Sequence, residues 1–230
     1  MEPTALDHVA LWVADRDPLA DFLCEHTGMH VVERTDAFTL VGADARRGTV
    51  TLFAAEGPRE PGPLERVVLR VSDLDRALAA LPAGLSVGRG ADGVATFEAP
   101  EGLGLGLVEV PDAEVEYDID QVVLRVPDPG RAQDGLAALG LRPDGDDRLA
   151  VGDKHVRLER SAEAGESERP LLNHIALLVD SGQEQLDEAR ARGIEIAEVR
   201  DAANTFAFFV WGPDRIQLEY VEHKPEFSLT

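Results

Sequence analysis

Cysteine is almost missing from this chain: Cys24 is the single one among 230 residues. No internal disulfide can form, so stability has to come from an apolar core. Lysine is nearly missing too, with Lys154 and Lys224 the only two. Lys and Arg together number 22 against 44 Asp and Glu, a net charge of −22. A charge of that sign and size repels nucleic acid and anionic lipid, which argues against both as partners. No apolar run approaches the roughly 18 residues that span a bilayer, and Met1–Asp7 lacks a basic start followed by an apolar stretch. The expectation is a cytoplasmic protein. Aromatics make up only 5% of the chain, so the few that fall in strands are worth locating.

What the chain has in place of these is repetition. One eight-residue strand is written four times, as Leu6–Val13 (LDHVALWV), Leu64–Val71 (LERVVLRV), Ile119–Val126 (IDQVVLRV) and Leu172–Val179 (LNHIALLV). The third residue is in turn His8, Arg66, Gln121 and His174. An apolar frame with one variable polar slot is what a site grafted onto a repeat looks like.

Each copy is followed by an acidic or proline turn and a helical stretch that ends at glycine: Asp17–Gly28, Asp73–Gly84, Asp128–Gly140 and Ser181–Gly193. Apolar residues recur there at helical spacing, and the closing glycine supplies a left-handed cap. Short alternating segments come next. They are His30–Arg34, Phe38–Gly42 and Thr49–Ala54 in the first unit, and Ile194–Val199, Thr205–Trp211 and Arg215–Val221 in the last. The predicted fold class is α+β, built of four βαβββ modules. Joints rich in proline or charge fall at Glu56–Pro63, Pro111–Asp118 and Arg160–Pro170. They assign modules one and two to residues 1–113 and modules three and four to residues 114–230.

Strand alternation sets the direction of the slot. Val9, Leu11 and Val13 share one face, which should pack on the helix; Leu6, His8, Ala10 and Trp12 share the other. His8 and His174 should therefore point into the concavity. In the final strand Glu219 falls on the face opposite the packing row of Ile216, Leu218 and Tyr220. An ungapped overlay of Val151–Glu159 on Trp211–Glu219 puts Glu159 at the equivalent place in module three. Module two has Gly106 there, and module one, with Thr49–Phe53, has no acid. The remaining histidines, His26, His30, His155 and His223, share no repeat position and are read as surface residues. Cys24 is expected to pack beside Phe22 and Leu23, and Gly104 and Gly106 lack the context of a phosphate loop.

Four such modules, the slot histidines and the Gly-Pro-Asp…Leu-Glu ending at Gly212–Glu219 resemble the vicinal oxygen chelate superfamily. That group comprises type I extradiol dioxygenases, glyoxalase I, methylmalonyl-CoA epimerase, fosfomycin-resistance enzymes and metal-free bleomycin-binding proteins. The resemblance runs from Leu6 to Val221. It implies that the four βαβββ modules form two cupped mixed sheets with the helices outside, two modules pairing into each cup, with ligands from first-strand slots and last-strand carboxylates.

Two pairings follow. If module one pairs with module four, the cup holds the metal ligands His8, His174 and Glu219, the two-histidine, one-carboxylate set of non-haem Fe(II) oxygenases. Arg66, Gln121 and Glu159 then share the other cup, where Arg66 can pair with Glu159. If adjacent modules pair, Gln121, Glu159, His174 and Glu219 come together as in glyoxalase I, and His8 is left beside Arg66. The first pairing is preferred because a buried arginine without a carboxylate is costly. The resemblance then implies a divalent metal, Fe(II) foremost with Mn, Co, Ni or Zn as substitutes. It also implies a small-molecule substrate such as an aromatic diol, O₂ as co-substrate, and a monomer or homodimer. Ring-cleaving extradiol-type dioxygenase is the leading activity. A lyase or isomerase of glyoxalase or epimerase type, and a non-catalytic drug- or metabolite-binding protein, are the alternatives. Trp12, Phe53, Phe206, Phe208 and Trp211 are the expected aromatic lining of the pocket.

Overall fold

In a computed structural model, residues 1–43, 47–90, 92–162 and 167–225 are described. Module one is β1 (Ala5–Val13), α1 (Arg16–His26), β2 (His30–Arg34), β3 (Phe38–Gly42) and β4 (Thr49–Ala54). Module two is β5 (Leu64–Val71), α2 (Leu74–Ala79), β6 (Gly88–Arg89), β7 (Ala95–Glu98) and β8 (Gly104–Glu109). Module three is β9 (Ile119–Val126), α3 (Pro129–Ala138), β10 (Arg142–Pro143), β11 (Arg148–Val151) and β12 (Lys154–Arg160). Module four is β13 (Leu172–Leu178), α4 (Gly182–Ala191), β14 (Ile196–Asp201), β15 (Thr205–Trp211) and β16 (Gln217–His223). The protein is therefore α+β, with two mixed eight-stranded sheets and four helices.

Each helix starts where a polar side chain satisfies a free backbone N–H. Asp15 accepts from Asp17, Asp73 from Arg76, Asp128 from Arg131 and Ser181 from Glu184. Just past the first, third and fourth helices Gly28, Gly140 and Gly193 take positive φ, as does Gly84 further on from the second, the conformation that turns the chain back to a strand at little cost. The second helix is shorter than its sequence pattern, ending at Ala79, because Pro82 cannot continue it. The last strand starts at Gln217, later than the alternation implies, since Pro213–Arg215 forms a 3₁₀ turn first.

The order in the first sheet is β14-β15-β16-β13-β1-β4-β3-β2, and in the second β10-β11-β12-β9-β5-β8-β7-β6. Modules one and four meet where β1 runs antiparallel to β13, and modules two and three where β5 runs antiparallel to β9. One continuous apolar core includes residues of all four modules, among them Leu11, Leu69, Leu124 and Leu177.

Where the two sheets approach each other the interior holds a buried ion pair. Lys154 Nζ lies 2.5 Å from Asp118 Oδ1, and both residues are buried. Gly48 passes directly over this carboxylate: a Cβ there would come within 1.9 Å of Asp118 Oδ1, and its φ is +70°. Only glycine fits such an approach. Its N–H donates to the Asp7 carbonyl at 2.6 Å, which ties β4 to the start of β1.

The slot strands share an irregularity that plain alternation misses. Register breaks between Leu6 and His8 and between Leu64 and Arg66, and on the partner strands between Leu172 and His174 and between Ile119 and Gln121. The residue skipped in each case is polar: Asp7, Glu65, Asn173 and Asp120. A bulge of this kind re-aims the neighbouring side chain. Leu6 accordingly joins Val9, Leu11 and Val13 in the core instead of sharing a face with His8.

Candidate metal centre

The bulge lets two consecutive residues, Asp7 and His8, line one cavity of about 420 Å³ on the concave side of the first sheet. His174, opposite on β13, and Glu219 on β16 line it as well. Glu219 reaches this position because β13 and β16 run parallel, with Ala176 opposite Glu219.

His8 Nε2 lies 3.1 Å from His174 Nε2 and 3.3 Å from Glu219 Oε2. His174 Nε2 stands 2.8 Å from the same oxygen. His174 and Glu219 are only 4% and 8% exposed. Among the described residues this is the one group of three or more His, Cys, Asp or Glu whose donor atoms converge closely enough for a metal ion. Donor atoms on neighbouring corners of an octahedral ion bound at about 2.1 Å stand about 3.0 Å apart.

The outer ring nitrogens are engaged. His8 Nδ1 lies 2.7 Å from Asp7 Oδ1, and His174 Nδ1 lies 3.0 Å from Asn173 Oδ1. An imidazole that donates from Nδ1 to such an acceptor presents a bare lone pair at Nε2. Two lone pairs and a carboxylate oxygen at these separations repel one another unless a cation sits among them. The three residues therefore fit a divalent ion, and the polar residue skipped by each bulge orients its ligand.

The protonation pattern agrees. Burial pushes His174 below its ordinary value, more than Glu219 raises it, so the ring is a neutral donor. Burial would raise Glu219, but the His174 and His8 rings against it hold its carboxyl well below the usual range. His8 is lowered by burial but raised more by its bonds to Asp7 and Glu219, to about 10. Without a metal, a proton on His8 supplies the missing positive charge.

His223, expected on the surface, lines the same cavity, with Nε2 3.0 Å from Asp7 Oδ2. Asp7 is buried between two imidazoles, and their hydrogen bonds overcome its desolvation and keep its pKa low. A signal for Asp7 was present in the sequence: the residue before the slot is polar in all four copies, in a position that simple alternation assigns to the core.

The pocket's aromatic wall differs from the expected one. Phe53 lines the cavity, but Phe206 and Phe208 lie on the other face of β15, out of phase with it. Phe208 stacks on buried Tyr220 with ring centroids 4.9 Å apart, and Phe206 packs against Gly182 at the start of α4. Phe209 takes the place assigned to them, 5.2 Å from the His174 ring, and Phe38 stands beside Phe53. Trp12 touches Phe53 but lies four residues along β1 from His8, roughly 13 Å at strand rise, and does not line the cavity. Trp211 has the right parity but lies at the far end of β15, 49% exposed beneath Arg215.

In the second sheet Arg66 and Glu159 pair at 2.5 Å. Glu159 is nonetheless not the counterpart of Glu219. It lies opposite Arg125, and the position equivalent to Glu219, opposite Val123, is taken by Arg157. The β11–β12 hairpin turns through Gly152 and Asp153 alone, whereas the β15–β16 connection uses Gly212–Ile216, so the ungapped overlay slips. In module one the equivalent position is Thr51, opposite Ala10. A neutral hydroxyl stands where a four-ligand set would place its second carboxylate.

A β-strand repeat of βαβββ modules paired into a cup, with side chains gathered at its floor, defines the class. The chain belongs to the Glyoxalase/Bleomycin resistance protein/Dioxygenase superfamily, whose family model matches residues 5–144. That superfamily includes metalloenzymes. Solved structures with the same fold include a Bacillus subtilis protein described as a candidate dioxygenase, 19% identical, covering 97% of this chain and 86% of that one at a TM-score of 0.79. Glyoxalase I from Zea mays is also 19% identical and covers 95% and 92% of the two chains at 0.74. The cppA protein from Streptococcus pneumoniae is 13% identical, with 96% and 100% covered at 0.64. At such identities the likeness establishes the fold. No curated protein sequence matches the chain. No helix among the described residues is long and apolar enough to cross a membrane.

Proposed function

We propose that the protein is a divalent-metal-dependent enzyme acting on a small molecule with two vicinal oxygens, and that it cleaves aromatic diols as an extradiol-type dioxygenase. The observation that carries this reading is the three-ligand set: His8, His174 and Glu219 converge while Thr51 occupies the fourth place. A set of two histidines and one carboxylate leaves positions open for a chelating substrate and for dioxygen. A divalent ion there would supply Lewis acidity and, as Fe(II), the route for electrons from the diol to O₂.

The chain's own groups have complementary tasks. Asp7 and Asn173 fix both imidazoles with Nε2 inward. Phe38, Phe53 and Phe209 give a planar ring apolar walls and exclude water. His223, backed by Asp7, stands at the wall to accept a proton released from a diol.

Glu33 gives the second reading, a lyase or isomerase of glyoxalase or epimerase type, its specific support. It is a carboxylate on the cavity wall that takes no part in the triad, and such a group can move a proton next to a polarised carbonyl. Oxygen electrode traces on Fe(II)-loaded protein separate the two. Uptake of one O₂ per catechol or hydroquinone consumed supports ring cleavage. Absence of uptake, with solvent deuterium entering a hydroxycarbonyl substrate, supports the isomerase.

The orienting role of Asp7 has its own expected outcome. Asp7→Asn should weaken divalent-metal affinity roughly 10- to 100-fold, the usual cost of losing a partner behind a ligating histidine. Calorimetric titration with Mn(II) reads this directly, and an unchanged affinity would remove Asp7 from the account.

A further inference from the structure

We infer that the substrate carries an anionic group, a carboxylate, in addition to its two metal-binding oxygens, and that Arg200 receives it. This rests on the chelate reading above and names the substrate class for that site. Among the described residues lining the cavity, Arg200 is the only arginine or lysine.

Its placement follows from the strand pairing. Arg200 on β14 lies opposite Ala207 on β15, so it shares the face of Ala207 and Phe209 that looks into the cup. Ala207 is too small to fill the space above it. The guanidinium sits 5.1 Å from the centroid of Phe209, and that ring stands edge-on to His174 at 5.2 Å. One aromatic ring thus separates the cation from the triad.

Glu198 holds Arg200 by Nε at 2.7 Å and Nη2 at 3.1 Å. A guanidinium has five N–H donors in a rigid fork, so this grip sets its orientation and leaves both Nη1 hydrogens free. The Arg200–Glu198 pair is more than half exposed on the arginine side, and an exposed pair of this kind neutralises its cation weakly. A carboxylate in the cavity would add a second, directed partner through the Nη1 hydrogens. The opposite wall offers Glu33 and no cation, so a negative group has one place to go.

The probes are protocatechuate, which joins a vicinal diol to a carboxylate, and its methyl ester, which keeps the diol and a similar shape but loses the charge. Binding of each to Fe(II)-loaded protein is measured by calorimetry without oxygen, so that no turnover is needed. The wild type should bind the acid about 10- to 100-fold more tightly than the ester, the range for a hydrogen bond to a charged partner. Arg200→Gln should bring that ratio close to one while leaving the ester's affinity unchanged, and Arg200→Lys should keep part of the preference. Equal wild-type binding of acid and ester overturns the inference and leaves the chelate site intact, whether or not the variants fold. A preference that survives Arg200→Gln also overturns it. If neither diol binds, the chelate reading falls and the inference falls with it.

Discussion

Changing His174 to alanine should raise the dissociation constant for Fe(II) or Mn(II) by more than about a hundredfold, beyond the range for losing a partner behind a ligand. The reason is geometric. His174 Nε2 is the donor nearest Glu219, at 2.8 Å, and no other His, Cys, Asp or Glu among the described residues converges with His8 and Glu219. In the wild type, metal at a hundred times its dissociation constant should stabilise the fold by about 2.7 kcal/mol; the same concentration should stabilise the variant by less than about 0.4 kcal/mol. Proton release gives a second readout. The folded pKa of His8 is raised from 6.5 to about 10, so its contribution to the stability of the metal-free protein is full below pH 6.5 and is lost as pH rises through 10. Metal must displace that proton. Loading at pH 7 should therefore release about one proton per ion, and apparent affinity should rise about tenfold per pH unit up to pH 10. Titration in buffers of different ionisation enthalpy measures the count, and a count of zero would mean that His8 carries no proton at pH 7 for the metal to displace.

The largest effect on stability should come from a site away from the cavity. Asp118→Ala should destabilise the fold by about 3–5 kcal/mol, the cost of leaving a buried charge without its partner. The stranded group is the Lys154 ammonium, which is fully buried against Asp118. Removing both charges should recover most of the loss, because a methionine at 154 fills similar volume without a charge to desolvate. Denaturant unfolding of Asp118→Ala and of the Asp118→Ala, Lys154→Met double variant tests this. A single variant as stable as wild type would show that water reaches Lys154.

The repeated strand made the architecture legible. Four copies of one apolar frame, each followed by a capped helix and three short strands, spell out four βαβββ modules; their pairing into cups was implied by the family resemblance, and the structure has two eight-stranded sheets. His8, His174 and Glu219 stood out for the same reason, as polar groups in register within an apolar frame, and they converge. What alternation could not show was the bulge before each slot. It turns Asp7 into the cavity beside His8 and returns Leu6 to the core. A bulge adds one residue to the strand count and reverses facing on one side of it, and its one trace in the sequence is the polar residue before each slot, Asp7 in LDHVALWV. The aromatic lining failed on parity as well: Phe208 and Phe209 are adjacent, and only pairing with Tyr220 and Glu219 on β16 decides which of them meets the cup. Glu159 was misplaced by hairpin length, a property of the turn that the strand pattern does not contain.

The central claim is that His8, His174 and Glu219 hold one divalent ion. Diffraction from crystals grown with Fe(II) under argon, collected on both sides of the iron absorption edge, tests it directly. The account predicts a single strong anomalous peak about 2.1 Å from His8 Nε2, His174 Nε2 and Glu219 Oε2. A cavity with no peak there, and His8 still bonded between Asp7 and Glu219, would contradict it.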